Sequence, residues 1–220
     1  MDIVGAVFAD FVQAPAGGPS QLRTEIAGRT ILTRTLRRVT QIRGLARRCL
    51  FVRPRDQAPA EQVLRSTGLA DQFDLVPLDT ASRGRRLLLT AGRKWNLEAW
   101  RGSPLGTTWF DEFVDPAAVA QVINHYKCDG VFCIDGHQPL LDPAIASAMR
   151  VNLDETREEA KMSFTQAPPG LAGIILRREA VQDLLEVEIP LGLALSYRPE
   201  LAQTDPIIHS ACYHVPSEVT

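Results

Sequence analysis

Cysteine is scarce in this 220-residue chain, which has four, at positions 49, 128, 133 and 212, and none falls in a Cys-x-x-Cys pair. That excludes a zinc ribbon, a thioredoxin-type redox motif and a disulfide-stapled scaffold. It implies reduced, mostly buried thiols and a cytosolic protein. His209, Cys212 and His214 lie close together, but their spacing fits no zinc module and reads as a loop. A charge excess is also missing. The net charge is −2, so nothing global points to a nucleic acid or a membrane as partner. No apolar run is long enough to cross a bilayer. Met1-Asp2-Ile3-Val4 has neither a basic segment nor a long apolar one behind it, and so reads as carrying no secretory signal. There is no Gly-x-Gly-x-x-Gly and no Walker lysine.

What remains is ordinary for a globular α/β protein: 45% hydrophobic and 23% charged residues in a length suited to one domain with a sizeable core. Between Arg23 and Arg55 arginines are frequent and Glu25 is the only acid, a bias that reads as a solvated helix face. Residues 3–8 form a β-branched apolar run, the expected first strand. A long irregular segment follows, with Ala16-Gly17-Gly18-Pro19-Ser20 at its centre. A glycine-bearing loop between a first strand and a first helix can turn its backbone N–H groups toward phosphates, or can be plainly flexible. Apolar residues at helical spacing predict a helix over 30–43 with Thr30 as N-cap. A strand at 49–52, a helix over 59–69 stopped at Gly68 and a strand at 74–78 come next. The alternation of strand and helix predicts parallel pairing. A basic segment at 80–92 leads into a helix at 94–100. The run Trp100-Arg101-Gly102-Ser103-Pro104 to Phe110, rich in turn formers and aromatics, reads either as an ordered Ω-loop or as a substrate loop.

A helix at 116–126 feeds the stretch that organises the chain, residues 129–143. Val131 to Ile134 is an apolar run bounded by glycines, as in a fully buried parallel strand. Asp135 and His137 follow it directly, then a proline turn, then Asp142-Pro143 opening a helix that extends to about 152. Alternation along extended chain lets Asp135 and His137 point to one side, at the carboxyl end of a strand, where open α/β sheets bind ligands. The pair reads either as divalent-metal ligands or as a strand-end turn in which Asp135 caps backbone N–H groups. Strands at 162–166 and 174–176 and a helix over 178–187 complete a domain spanning 1–196. The proline-bearing segment 197–220 reads as an extended arm or linker.

Several of these segments also resemble a known family. Ile26-Ala27-Gly28-Arg29-Thr30-Ile31-Leu32 resembles the "l-a-G-k-P-l-l" signature of GT-A type nucleotidyltransferases. Within them the chain looks most like the cytidylyltransferases of sugar activation, the spore-coat-polysaccharide and acylneuraminate groups. Trp100-Arg101-Gly102-Ser103 resembles their "f-R-G-s", and Ile134-Asp135-Gly136-His137-Gln138-Pro139-Leu140-Leu141-Asp142-Pro143 their "q-G-D-x-P-L-i-d-P". The matches keep the family's order over roughly the first 150 residues. The resemblance implies a three-layer α/β sandwich with a mainly parallel sheet, the GT-A, Rossmann-like architecture of nucleotide-diphospho-sugar transferases. It implies transfer of a nucleotidyl group from CTP or a similar triphosphate to a sugar or sugar acid, with a divalent cation (Mg²⁺ or Mn²⁺) on the phosphoryl oxygens. Gly17, Gly18 and Ser20 would line the phosphates and Arg23 would be the loop cation. Arg101 and Ser103 would contact base or sugar. Asp135, with His137, would hold the metal and carry the catalytic role.

Two positions depart from the pattern. The family's metal aspartate falls on His137 and its loop lysine on Gln21. An imidazole suits Mn²⁺ better than Mg²⁺. Lys94, Arg85 or Arg86 would be the replacements for the missing loop cation. The departures leave a transferase with rearranged ligands and weak or lost activity, a GT-A glycosyltransferase using Asp135-x-His137 as an Asp-x-Asp variant, or a non-catalytic nucleotide- or sugar-binding or scaffold module of a longer protein. A homodimer or a further domain is compatible with each.

Overall fold

The computed structural model describes residues 1–15, 18–77, 109–165, 167–168, 170–187, 191 and 211–215. Their scaffold is a seven-stranded sheet covered by helices on both faces. Strand β1 is Ile3–Ala9; β2 (Glu25–Ile26) and β3 (Arg29–Thr30) form a small separate ladder; helix α1 is Ile31–Val39. Then come β4 (Arg47–Val52), a short 3-10 turn at Pro54–Asp56, α2 (Gln57–Thr67), β5 (Asp74–Pro77), α3 (Phe110–Phe113), α4 (Pro116–Tyr126) and β6 (Gly130–Asp135). Helix α5 (Pro143–Glu155), β7 (Met162–Thr165), β8 (Ile174–Arg177), α6 (Arg178–Val187) and β9 (Cys212–Tyr213) complete the order. The sheet runs β5-β4-β1-β6-β8-β7-β9.

The sequence pattern explains the layers. In β1, Ile3, Val7 and Ala9 point into one apolar cluster while Val4 and Ala6 point into the other, so both faces are covered and the strand reads as continuously apolar. Leu32, Leu36 and Val39 of α1, Ala60 and Leu64 of α2, and Ile145, Ala146, Met149 and Leu153 of α5 close the first face. Ala118, Val119, Val122 and Ile123 of α4, with Val181 and Leu184 of α6, close the second. This is the expected three-layer α/β sandwich. The pairings β5–β4, β4–β1, β1–β6 and β7–β9 are parallel. Strand β8 is the exception: after α5 carries the chain across to β7, β8 turns back between β6 and β7, antiparallel to both.

Most element bounds agree with the expectations within a few residues. Helix α1 ends at Val39, short of the 43 that its apolar spacing suggests. Ile42 is still buried, but from a turn that ends at Gly44, whose φ of 76° is left-handed. Arg48 occupies the helix end, donating to the carbonyls of Val39, Thr40 and Ile42. Gly68 stops α2 with φ of 69°, as expected. Part of the tail joins the sheet, since Cys212 and Tyr213 pair with Phe164 and Thr165. The segments expected at 80–92 and 94–100 lie outside the described residues, as does most of the aromatic loop. Of that loop Trp109 and Phe110 are described, stacked edge-on against Phe113 at 4.9 and 6.4 Å.

Candidate functional site

The site forms at the carboxyl ends of β1 and β6. Asp135 is the last residue of β6, in register with Phe8 of β1, and is 5% exposed. The strand pairing continues one residue further, through the Gly136 N–H to the Phe8 carbonyl at 2.8 Å. A Cβ on Gly136 would stand 3.1 Å from that carbonyl oxygen and 3.0 Å from Leu22 Cδ2. A side chain between the carboxylate and the imidazole would fit only if these neighbours gave way by a few tenths of an ångström. The Gly136 carbonyl is fixed from the other side by the Thr35 hydroxyl of α1, at 2.9 Å.

This turn brings Asp135 and His137 together. Asp135 Oδ1 lies 3.0 Å from His137 Nδ1 and accepts the His137 backbone N–H at 3.1 Å. The carboxylate thus caps a backbone N–H, as the strand-end-turn reading of the pair has it. The other face of the ring meets the long loop: His137 Nε2 is 3.2 Å from Ser20 Oγ and accepts the backbone N–H of Gln21 at 3.3 Å. An N–H donor at Nε2 requires a lone pair there, which assigns the ring proton to Nδ1, facing Asp135. The His137 side chain keeps 14% of its surface exposed.

Ser20 is held there by its own loop. Asp10, just past β1, accepts the N–H groups of Val12 and Gln13 and so bends the chain. Ala14 then bonds to Gly18, and the Ser20 N–H to the Val12 carbonyl. Leu22, fully buried, anchors the far end in the core. Asp10 also grips two arginines from the end of β4: Arg53 Nε at 2.9 Å and Arg55 Nη2 at 3.3 Å. Buried Asp56 accepts the Phe11 N–H, and Arg23 lies over the Phe11 ring at 5.4 Å. The Asp10–Arg53–Arg55 cluster was not foreseen. The adjacent Arg-Pro-Arg-Asp at 53–56, directly after an apolar strand, was the available signal.

Of the expected site residues, Ser20, Asp135 and His137 converge. Arg23 sits on the same loop beside Phe11, and Gly18 is exposed with open space around its Cα. Gly17, Arg101 and Ser103, and also Arg85, Arg86 and Lys94, lie outside the described residues. As arranged, the described residues do not fit a divalent cation. Among them no three His, Cys, Asp or Glu side chains gather, and the lone pair of His137 is engaged by the loop. A separate depression of about 510 Å³ opens at the opposite pole, near Met1 and Asp129. Its charges are of both signs and largely paired, Arg177 with Glu179 and Arg157 with Glu158. Among the described residues no helix is long and apolar enough to cross a membrane.

No family model and no curated protein matches the sequence. Solved structures do match the fold. A cytidylyltransferase from Leptospira borgpetersenii superposes with a TM-score of 0.63 at 11% identity, covering 100% of this chain and 77% of that one. The CMP:2-keto-3-deoxy-manno-octonic acid synthetase complexed with CTP gives 0.52 at 12% identity, over 98% of this chain and 90% of its own. The 4-diphosphocytidyl-2C-methyl-D-erythritol synthase of Anaerococcus prevotii gives 0.51 at 13%, over 100% and 89%. The chain has the cytidylyltransferase-like nucleotidyltransferase fold.

Proposed function

We propose that this chain is a nucleotidyltransferase of the sugar cytidylyltransferase type, binding a nucleoside triphosphate, CTP first, and passing its nucleotidyl group to a sugar or sugar acid. The observation that carries the reading is the end-to-end correspondence with cytidylyltransferase structures, one of them complexed with CTP. The loop of residues 10–22, closing over the carboxyl ends of β1 and β6, supports it, because that edge is where such sheets bind ligands. In this reading residues 1–196 form the nucleotidyltransferase-like domain and 197–220 an arm. Ser20 and Gly18, with Gly17, face the phosphates, and Arg23 faces the leaving pyrophosphate. Arg101 and Ser103 contact base or sugar. After a rearrangement of the turn, Asp135 would be the protein ligand of a divalent cation, which would supply positive charge for the phosphoryl transfer. His137 would join it only after releasing Ser20 and Gln21.

Thermal shift with CTP, UTP, GTP and ATP, each with Mg²⁺ and with Mn²⁺, tests the reading. At a hundredfold excess over Kd a bound nucleotide stabilises by about 2.7 kcal/mol, a rise in Tm of roughly 5–11 °C for a chain of this length. Pyrophosphate release on adding a sugar acid then tests transfer. No shift with any nucleotide refutes it. The loop seated on His137 favours a second reading, a non-catalytic nucleotide- or sugar-binding module. Binding indifferent to metal, with no pyrophosphate released, selects that one.

A further inference from the structure

We propose that the outer face shared by α1 and α5 is complementary to itself, and that a second copy of this chain docks on it across a two-fold axis. The inference is independent of the nucleotidyltransferase reading. Both helices close the same face of the sheet, and each follows one of the parallel neighbours β1 and β6, so they run back side by side in one direction. Two contacts fix the register between them. Arg38 Nη1 of α1 donates to the Leu141 carbonyl, just ahead of α5, at 3.0 Å. The Arg43 N–H, past the end of α1, donates to Ser147 Oγ in the middle of α5 at 3.0 Å.

The face carries charge in places where a lone chain gains nothing from it. Arg34, Arg37 and Arg38 stand at i, i+3 and i+4, so α1 presents three like charges in one stripe, and exposed Arg43 continues it. Backbone carbonyls hold the guanidinium groups of the helix: Ile26 and Ala27 hold Arg34, Thr67 holds Arg37, and Leu141 holds Arg38. Among the described residues no carboxylate forms an ion pair with any of the four, the acids nearest in sequence being engaged by Arg47, Arg53, Arg55 and Arg65. Helix α5 has the opposite defect. It ends on Asp154 and Glu155 with no basic residue in its last turn, so both acids stand at the negative end of the helix dipole. Asp154 is neutralised within the chain, by Arg150 and the amino terminus. Glu155 is exposed and forms no ion pair among the described residues.

Apolar surface accompanies the charge. Val151, on the stripe of α5 that also holds Ala144, Ala148 and Glu155, is 55% exposed, and Leu140, next to the carbonyl that Arg38 holds, is 65% exposed. The arginines thus lie beside the start of α5 and the unpaired carboxylate lies at its end. A two-fold axis passing near Ala148 sets α5 antiparallel to its mate. Each Glu155 then meets the other copy's arginine stripe at Arg38, and each Val151 lies beside the other copy's Ala144. An acidic partner of another kind would set like charge against Glu155, and a basic one would set it against the arginines. A second copy satisfies both, and the symmetric contact closes at two chains. Ion pairs exposed at such a face contribute little each, so the association is weak and sensitive to salt.

The test measures the mass of the full chain by sedimentation equilibrium over roughly 1–200 µM, at low and at high salt. The expected mass rises from one chain toward two and no further, and Kd weakens at least about tenfold between about 0.05 and 0.5 M salt. Arg38→Glu and Glu155→Arg each weaken self-association by at least about tenfold, with folding checked by far-UV circular dichroism. Mixed in equal amounts, the two variants restore the dimer, because the mixed pair has one reversed ion pair and one native one. Loss of a merely structural contact would not be repaired by mixing. Ala148→Cys, near the axis, forms a covalent dimer under mild oxidation, whereas the native cysteines are buried. A single-chain mass at every concentration overturns the proposal. So does a dimer that neither charge reversal disturbs, or that the mixture fails to restore. A monomer that instead binds heparin in a salt-dependent way gives the arginine stripe to a polyanion and overturns it as well. If Arg38→Glu does not fold, the Ala148→Cys chain decides, and its failure to cross-link counts against the dimer.

Discussion

Thr35 is the point at which the body of the protein holds the site turn, and replacing it with valine tests that connection. Its side chain is fully buried in α1, and its hydroxyl has one proton and two carbonyls within reach: Ile31 at 3.1 Å and Gly136 at 2.9 Å. The Ile31 carbonyl already serves the helix ladder. The Gly136 carbonyl has no other donor among the described residues. Thr35→Val keeps the shape and removes the hydroxyl, leaving a buried carbonyl unpaired. That costs about 1–3 kcal/mol, or roughly 2–12 °C in Tm for a chain of this size. Urea denaturation followed by fluorescence and far-UV circular dichroism measures it as a shift in midpoint with the slope unchanged. Thr35→Ser, which keeps the hydroxyl and loses one methyl, separates the packing contribution of about 0.8 kcal/mol. A valine variant within about 0.5 kcal/mol of wild type would refute the argument that α1 fixes this turn through that bond.

Gly136→Ala places a Cβ against the Phe8 carbonyl and the Leu22 side chain. It should destabilise by about 1–3 kcal/mol in the same denaturation experiment, and nucleotide affinity measured calorimetrically should fall with it. Asp142→Ala removes the side chain that accepts from Ala144 at 2.7 Å and Ile145 at 3.3 Å at the start of α5, for a loss of about 0.5–2 kcal/mol. The cysteines give a pH signature. Burial pushes the Cys49, Cys128 and Cys133 thiols up, with Asp74 adding to the effect at Cys49. A thiol raised in the folded state binds its proton there while the unfolded chain releases it. Stability is therefore intact below about pH 8.5 and falls above it, by up to about 1.4 kcal/mol per pH unit for each thiol. Urea midpoints between pH 7 and 10 should show that decline, and a thiol reagent should react with Cys133 only on unfolding.

The sheet and its helices were legible because burial on both faces leaves a plain record. Val131 to Ile134 read as interior strand, and Asp142-Pro143 announced a helix start that its cap confirms. Periodicity misjudged the end of α1, where Ile42 is buried from a turn that keeps the helix's apolar rhythm. The reversal of β8 left no local mark, since direction is decided by which neighbour a strand inserts beside. At the site, sequence placed Asp135 and His137 together at a strand tip. It missed that Ser20 would approach the imidazole from 117 residues away, because such a contact is made by the path of a loop rather than by spacing. For the same reason the run at 53–56 hinted at charge but not at the grip of Asp10 on Arg53 and Arg55: the partners follow neighbouring parallel strands whose register only pairing sets.

The account stands on a nucleotide mouth where the loop of Ser20 meets the end of β6. Amide NMR of the full chain during a CTP titration, with Mg²⁺ and Mn²⁺ in turn, tests this most directly. The prediction is saturable shifts centred on Ser20, Gln21, Gly136 and His137. No shifts, or shifts confined to another surface such as the depression near Met1 and Asp129, would contradict it.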